Sequence, residues 1–176
     1  MRINMKEWVE DIVRRPIKSS IPILSFPCVT LMGITVNQLI ASSDLQAEGM
    51  CRVAQRVPSL ASVSMMDLSV EAEAFGAPVR FSDMEVPTVM GAVVKTTEDA
   101  KMLQIPKVGA GRTGIYVDAI GKACHRIKDR PVLAGVIGPF SLAGRLQDVA
   151  EIMINCMINP DMVHVTMEKV TEFLIS

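Results

Sequence analysis

Aromatic side chains are scarce: one Trp, one Tyr and five Phe make up 4% of 176 residues. Net charge is nearly absent as well, at −1, with both signs mixed along the chain. That balance leaves no basic stripe for nucleic acid and no polybasic segment for an anionic membrane, so neither is expected as a partner. No uninterrupted run approaches the roughly 18 apolar residues that suggest a membrane span. The apolar segment from Val132 to Leu146 is broken by Gly135, Gly138, Pro139, Gly144 and Arg145. The stretch Met1 to Trp8 has no signal-peptide core, and a cytoplasmic location is the default expectation. The cysteines stand far apart, at Cys28, Cys51, Cys124 and Cys156. That spacing matches neither a disulfide framework nor a CxxC metal site, so reduced thiols packed as small hydrophobes are expected.

Apolar residues are plentiful, at 49% against 21% charged, and they are mostly aliphatic or thioether, with 13 Met. The mean hydropathy of +0.34 is high for a globular chain. One account is a core of parallel strands buried on both faces, which is rich in Val and Ile. The other is apolar surface that a partner or further chain covers. The length suffices for one domain, 1–176, that buries roughly 70% of its unfolded surface.

Along the chain, residues 5–15 have the spacing of an amphipathic helix, with Trp8, Val9, Ile12 and Val13 on one side. Ile21 to Phe26 is expected as a first buried strand. A short helix over 35–41 follows. Ser43 and Gln46 have the spacing of a capping box that opens a helix running to Arg56. Leu60 to Met66 is expected as a second strand, Val70 to Phe75 as a short helix, and 78–82 and 89–94 as short extended pieces. Glu98 to Leu103 is a helical turn. Gly109-Ala110-Gly111 is a flexible break before a helix over 114–128, on which Asp118 and Lys122 form an i,i+4 pair. Val132 to Ile137 is the third strand. Helices over 141–155 and 162–174 complete the order. Strands alternating with helices imply βαβ units and a parallel sheet, an α/β fold. The chain ends inside a helical pattern, which is expected of a fold that continues.

Asp67 closes the second strand and precedes an acidic turn. A carboxylate at the C-terminal end of a parallel strand sits where α/β barrels place their chemistry. It equally suits a cap for the Ser69 and Val70 amides, and the residues alone do not separate the two. Glu71 and Glu73, two apart on a helix, do not share a face and suit the positive end of the helix dipole. His125 falls on a charged helix face. His164, eight residues from Cys156, makes a weak metal pair. In Gly109 to Gly114, Arg112 and helix-start amides suit an anion, or form a loop with a solvated arginine. Gly138-Pro139 makes a tight turn after the third strand, and Arg145 behind it is the best candidate cation for a ligand.

Three phrases carry a family likeness. Ser64 to Gly76, Val136 to Gly144 and Phe81 to Pro87 resemble, in order, segments of the uroporphyrinogen decarboxylase superfamily. The closest likeness is to its corrinoid-dependent methyltransferases, which move a methyl group between a cobamide and a thiol. That resemblance implies a (β/α)₈ TIM barrel, of which this chain supplies the N-terminal half. It also implies a methylated corrinoid as donor, a small thiol as acceptor, and zinc to activate the thiol. Asp67 matches the aspartate with which the decarboxylases hold pyrrole nitrogens. Their arginine-rich motif after the first strand has no counterpart in Phe26 to Gly33. Their tyrosine after the third matched strand is replaced by Arg145. A porphyrinogen's carboxylates would lie uncompensated without those arginines, which favours the methyltransferase branch.

The resemblance makes Asp67 catalytic and Cys28, Gly138, Phe140 and Arg145 substrate-binding. The family's zinc motif, His-x-Cys with a later Cys, is absent, so no metal ligand is expected in this chain and neither zinc nor corrinoid binds it unaided. The expected partners are a corrinoid protein or the thiol, together with the missing half or a second copy. Two alternatives stand beside this reading: a uroporphyrinogen decarboxylase of porphyrin biosynthesis, and an inactive half-barrel that binds a partner.

Overall fold

A computed structural model describes residues 3–176. Met1 and Arg2, on which part of the reading of the chain's start rests, lie outside them. The first helix, α1 (Met5–Arg14), is opened by Asn4, whose side chain accepts from the Lys6 and Glu7 amides. None of its residues is buried. Its apolar stripe is present, but Val13 remains 68% exposed.

The expected first strand is not there. Ile21 to Phe26 forms no ladder, and Ile21 and Ile23 are exposed. Pro22 lacks an amide donor, which breaks the regular pairing a strand needs. The segment still lies along the second strand, where the buried Ser25 Oγ donates to the Ser64 carbonyl at 2.9 Å.

Three helices follow: α2 (Cys28–Met32), α3 (Val36–Ile40) and α4 (Ser43–Arg56). A capping box does occur in this region, but between Thr35 and Gln38 at the start of α3. At α4 the cap is Ser42, which accepts from the Leu45 amide. Ser43, expected as the cap, instead donates to Asp118 at 2.6 Å. Helices α2 and α4 approach closely at Gly49, where an added Cβ would lie 2.7 Å from Cys28 Sγ.

The parallel pair that organises the site is β1 (Ser62–Val63) with β4 (Val132–Leu133), in register Ser62 to Val132 and Val63 to Leu133. Both strands are shorter than the apolar runs that contain them. Beyond them the Ser64 amide still donates to the Leu133 carbonyl at 3.0 Å, and the Gly135 amide donates to Ser64 Oγ at 2.8 Å. A side chain thus continues the pairing where the backbones part. Between these strands run α5 (Val70–Ala74), the antiparallel hairpin β2 (Val79–Arg80) and β3 (Thr88–Val89), α6 (Thr97–Met102) and α7 (Thr113–Arg126). The hairpin's β2 lies within the extended piece expected over 78–82, whereas β3 meets the one expected over 89–94 only at Val89. The Asp118–Lys122 pair on α7 forms at 2.9 Å.

After β4 come α8 (Pro139–Gln147), α9 (Val149–Ile158) and α10 (Pro160–Ile175). The single helix expected over 141–155 is two helices. Asp148 breaks it with φ 79° and caps α9 by accepting from the Ala150 and Glu151 amides. The largest apolar cluster joins α5, α6, α8 and α10, with Phe75 and Phe173 edge to face at 5.2 Å. A second joins alanine-lined faces of α4 and α7 through Ala47, Met50, Ala54 and Ala123. A third holds Cys28, Leu39 and Met65. The four cysteines are free; Cys28 is buried, whereas Cys124 and Cys156 are exposed, contrary to the expectation that most pack inside. No helix among the described residues is long and apolar enough to cross a membrane.

Candidate functional site

The C-terminal ends of β1 and β4 open side by side onto a cavity of about 260 Å³. Met65, Met66 and Asp67 come from β1 and its extension, and Gly135 to Ile137 from β4. Glu71 of α5 and Tyr116, Val117 and Ile120 of α7 form the sides, with Phe173 of α10 closing one end. Gly135 leaves room for the Met66 side chain: an added Cβ would lie 2.3 Å from Met66 Sδ and would make that side chain shift.

Asp67 is buried, with a side chain 0% exposed. Its Oδ1 accepts from the Ser69 amide at 2.9 Å and from Ser69 Oγ at 2.6 Å. Its Oδ2 accepts from Arg112 at 2.5 Å and from the Tyr116 hydroxyl at 3.0 Å. A carboxylate offers about four lone-pair sites, and these four donors occupy them. Asp67 thus stands at the expected strand end, but of the two expected cap contacts its side chain makes only the one to the Ser69 amide; the Val70 amide donates to the Asp67 backbone carbonyl, and α5 has no side-chain cap.

Arg112 is the surprise. The sequence allows an anion ligand or a solvated arginine; the structure shows neither. Its side chain is 10% exposed, and it also meets Glu73 at 2.5 Å. Nη2 takes Ser69 Oγ at 2.8 Å, and the guanidinium lies 5.1 Å from the Phe81 ring centroid. Burial alone would lower its pKa, but hydrogen bonds and charge from Asp67 and Glu73 outweigh that and raise it. The neighbouring turn has the left-handed glycines Gly109 and Gly111, at φ 81° and 57°. They let the chain swing into α7 so that Arg112 and Tyr116, one turn apart, face the same carboxylate. Burial and the Asp67 charge both push the Tyr116 hydroxyl far up, so it stays a donor.

Glu73 thus has a structural partner, while Glu71 does not. Its Oε1 meets only the Ile137 amide at 3.5 Å, and its Oε2 is buried with no hydrogen-bond partner. Burial is the main cause that pushes its carboxyl above the ordinary range. Tyr116 had no signal in the sequence beyond being the one tyrosine, and Glu71 none beyond its place in a helix's first turn.

The other sequence candidates sit away from the cavity wall. Gly138 caps α8, Phe140 is 46% exposed, and Arg145 lies half-buried in the last turn of α8. Cys28 is inside the third apolar cluster, and burial pushes its thiol up to about 11. His125 and His164 are exposed. Among the described residues no group of three His, Cys, Asp or Glu is arranged to hold a metal ion.

The family profile described as Uroporphyrinogen decarboxylase (URO-D) matches residues 23–176. The chain belongs to the uroporphyrinogen decarboxylase family. Within that family its relatives lie on the methyltransferase branch. It is 30% identical over 128 residues to a Methylcobamide:CoM methyltransferase MtbA of Methanosarcina mazei, covering 66% of this chain and 38% of that protein. It is 37% identical over 79 residues to one of Methanosarcina acetivorans, covering 44% of this chain and 23% of that protein. A solved structure, "methyltransferase from Methanosarcina mazei", superposes with a TM-score of 0.76 at 20% identity, covering 90% of this chain and 49% of the other. The chain therefore shares that α/β fold and spans about half the length of the solved methyltransferase, and less of the curated relatives.

Proposed function

We propose that this chain forms the N-terminal half of a TIM barrel that transfers a methyl group from a methylated corrinoid to a thiol. The observation that carries the reading is the identity to methylcobamide:CoM methyltransferases over 66% of the chain. The alternative, tetrapyrrole decarboxylation, needs Asp67 to grip pyrrole N–H groups. Its acceptor positions are filled by Arg112, Tyr116 and Ser69, so a substrate would have to displace an existing bond. That weighs for the methyltransferase.

Asp67 in this reading sets the floor of the site. With Arg112 and Tyr116 it fixes the end of β1 against the start of α7, which preorganises the wall without reorganisation during reaction. Apolar walls beside it exclude water from a reacting thiol. Zinc does not fit the described residues: no trio of ligands converges, and Cys28 is buried with its thiol pushed up to about 11. A corrin macrocycle does not fit a cavity of about 260 Å³ either, so a corrinoid would meet this half-barrel at its open face. Gly138 and Phe140 at the start of α8, and Arg145 in its last turn, are the candidates for that contact.

The test is methyl transfer from methylcobalamin to a small thiol by the longest natural polypeptide containing these residues, followed by loss of methylcobalamin absorbance. Transfer to the thiol is expected. Release of CO₂ from uroporphyrinogen, abolished by Asp67→Ala, would overturn the reading in favour of the decarboxylase.

A further inference from the structure

The wall of the cavity at the ends of β1 and β4 presents apolar side chains to solvent. Val108, Val117 and Val136 line it and are 71%, 66% and 62% exposed, so water lies against surface that gains by losing it. Met66, Ile120 and Phe173 continue that surface. The polar groups of the wall have already given their protons away. Its hydroxyl side chains are those of Thr113, Tyr116 and Ser176. Thr113 donates to the Ala110 carbonyl at 2.5 Å, Tyr116 to Asp67 at 3.0 Å and Ser176 to the Phe173 carbonyl at 2.7 Å. Among the described residues the wall holds no Lys, Arg or His, and its two carboxyl side chains are Asp67 and Glu71. Arg112, outside the wall, directs its donors to Asp67, Glu73 and Ser69.

An anion entering this cavity would give up its water and find neither a cation nor an uncommitted hydroxyl proton in the wall, which is unfavourable for a charge. An uncharged alkyl or aryl body has no such hydration to lose. Each methylene that it lays against the wall tightens binding by up to about fourfold. The volume of about 260 Å³ equals roughly nine waters at about 30 Å³ each, room for a six-membered ring. We propose that this cavity holds the apolar body of an uncharged ligand and discriminates against an anion of the same shape. Resting on the methyl-transfer reading above, the same selection makes the acceptor an uncharged alkyl or aryl thiol rather than a sulfonated or carboxylated one.

The experiment is titration of the 176-residue chain with cyclohexanol and, separately, with cyclohexanecarboxylate at about pH 7, where the carboxylate is ionised. Binding is followed by the methyl NMR signals of Met65 and Met66, which line the cavity. The alcohol is expected to shift both signals saturably and to bind at least about tenfold tighter than the carboxylate. Val117→Lys adds a cation to the wall at an exposed position of α7. It should tighten carboxylate binding by at least about fivefold and leave the alcohol within about twofold. Equal or tighter binding of the carboxylate to the unaltered chain, unmoved Met65 and Met66 signals, or a Val117→Lys chain that holds the carboxylate no better would each overturn the proposal. The alcohol–carboxylate contrast is read on the unaltered chain, so it does not depend on a variant's folding. The acceptor is tested with the longest natural polypeptide and methylcobalamin: butanethiol should be methylated faster than the same thiol carrying a terminal sulfonate. Transfer that favours the sulfonated thiol would overturn the assignment of the acceptor and leave methyl transfer standing. Neither corrinoid nor thiol enters the titration, so a failed methyl-transfer assay and a failed titration are separate results.

Discussion

Arg112 shows what a single residue contributes and why its role was hidden. It is a buried cation whose partners, Asp67 and Glu73, lie 45 and 39 residues away in sequence. Local reading sees only a Gly-Ala-Gly turn with an arginine, and such turns are usually wet. The contact becomes visible once α7 runs back beside β1. Asp67 was legible because strand-end carboxylates have a fixed place in α/β folds; its donors were not, because they are supplied by a different element. Removing the guanidinium leaves two carboxylates together, one fully buried and one 27% exposed. Breaking one side of a buried pair costs about 3–5 kcal/mol, and the partial exposure of Glu73 places the expected loss toward about 3 kcal/mol. Arg112→Met should therefore lower urea-unfolding stability by that amount at neutral pH. Adding Asp67→Asn to that variant should recover most of the loss, because it removes the uncompensated buried charge. A loss that the second substitution does not recover would mean that packing on Phe81, rather than charge, is what Arg112 supplies.

At the scale of elements, helices were read better than strands. The apolar spacing of α7 and the proline at the start of α10 are local signals, and both helices formed where that spacing placed them. Strands depend on a partner's backbone. The parallel ladder is confined to Ser62–Val63 and Val132–Leu133, although the apolar runs around them are longer, and Pro22 withholds a donor from the segment beside β1. The break between α8 and α9 was missed because Asp148 is not a glycine. It adopts φ 79° and ψ 138°, a region that costs a non-glycine residue roughly 1–3 kcal/mol. Its side chain repays part of that by capping two α9 amides, worth about 1 kcal/mol. The two effects separate by substitution. Asp148→Ala keeps the strain and loses the cap, so it should lower stability by about 1–2 kcal/mol. Asp148→Gly loses the cap but relieves the strain, so it should fall within about 0.5 kcal/mol of the parent. Thermal melts of both variants decide it. If Gly is as damaging as Ala, the backbone there is unstrained.

For the whole molecule, the sequence conveyed its family through three phrases, and the profile match over residues 23–176 and the shared fold agree with it. It also offered two accounts of its high hydropathy, and the structure supports the second in part. Helix α9 buries only Ile152, while Val149, Met153, Ile154, Met157 and Ile158 are all at least half exposed. Periodicity did not predict this, because a helix whose polar residues are only Glu151 and Asn155 resembles one at the edge of a core. Such a face in water favours association, and the two-stranded parallel pair β1–β4 is short for a sheet, with an unpaired edge along β4. Sedimentation velocity of the 19.2 kDa chain should therefore show species larger than monomer that grow with protein concentration. Met157→Glu together with Ile158→Lys, two positions with 84% and 74% exposure, should return most of it to monomer without lowering the melting temperature, since neither side chain belongs to a buried cluster. If the double variant still associates, the contact runs through the β4 edge instead, and a charged residue at Val136, 62% exposed beside that edge, should then break it.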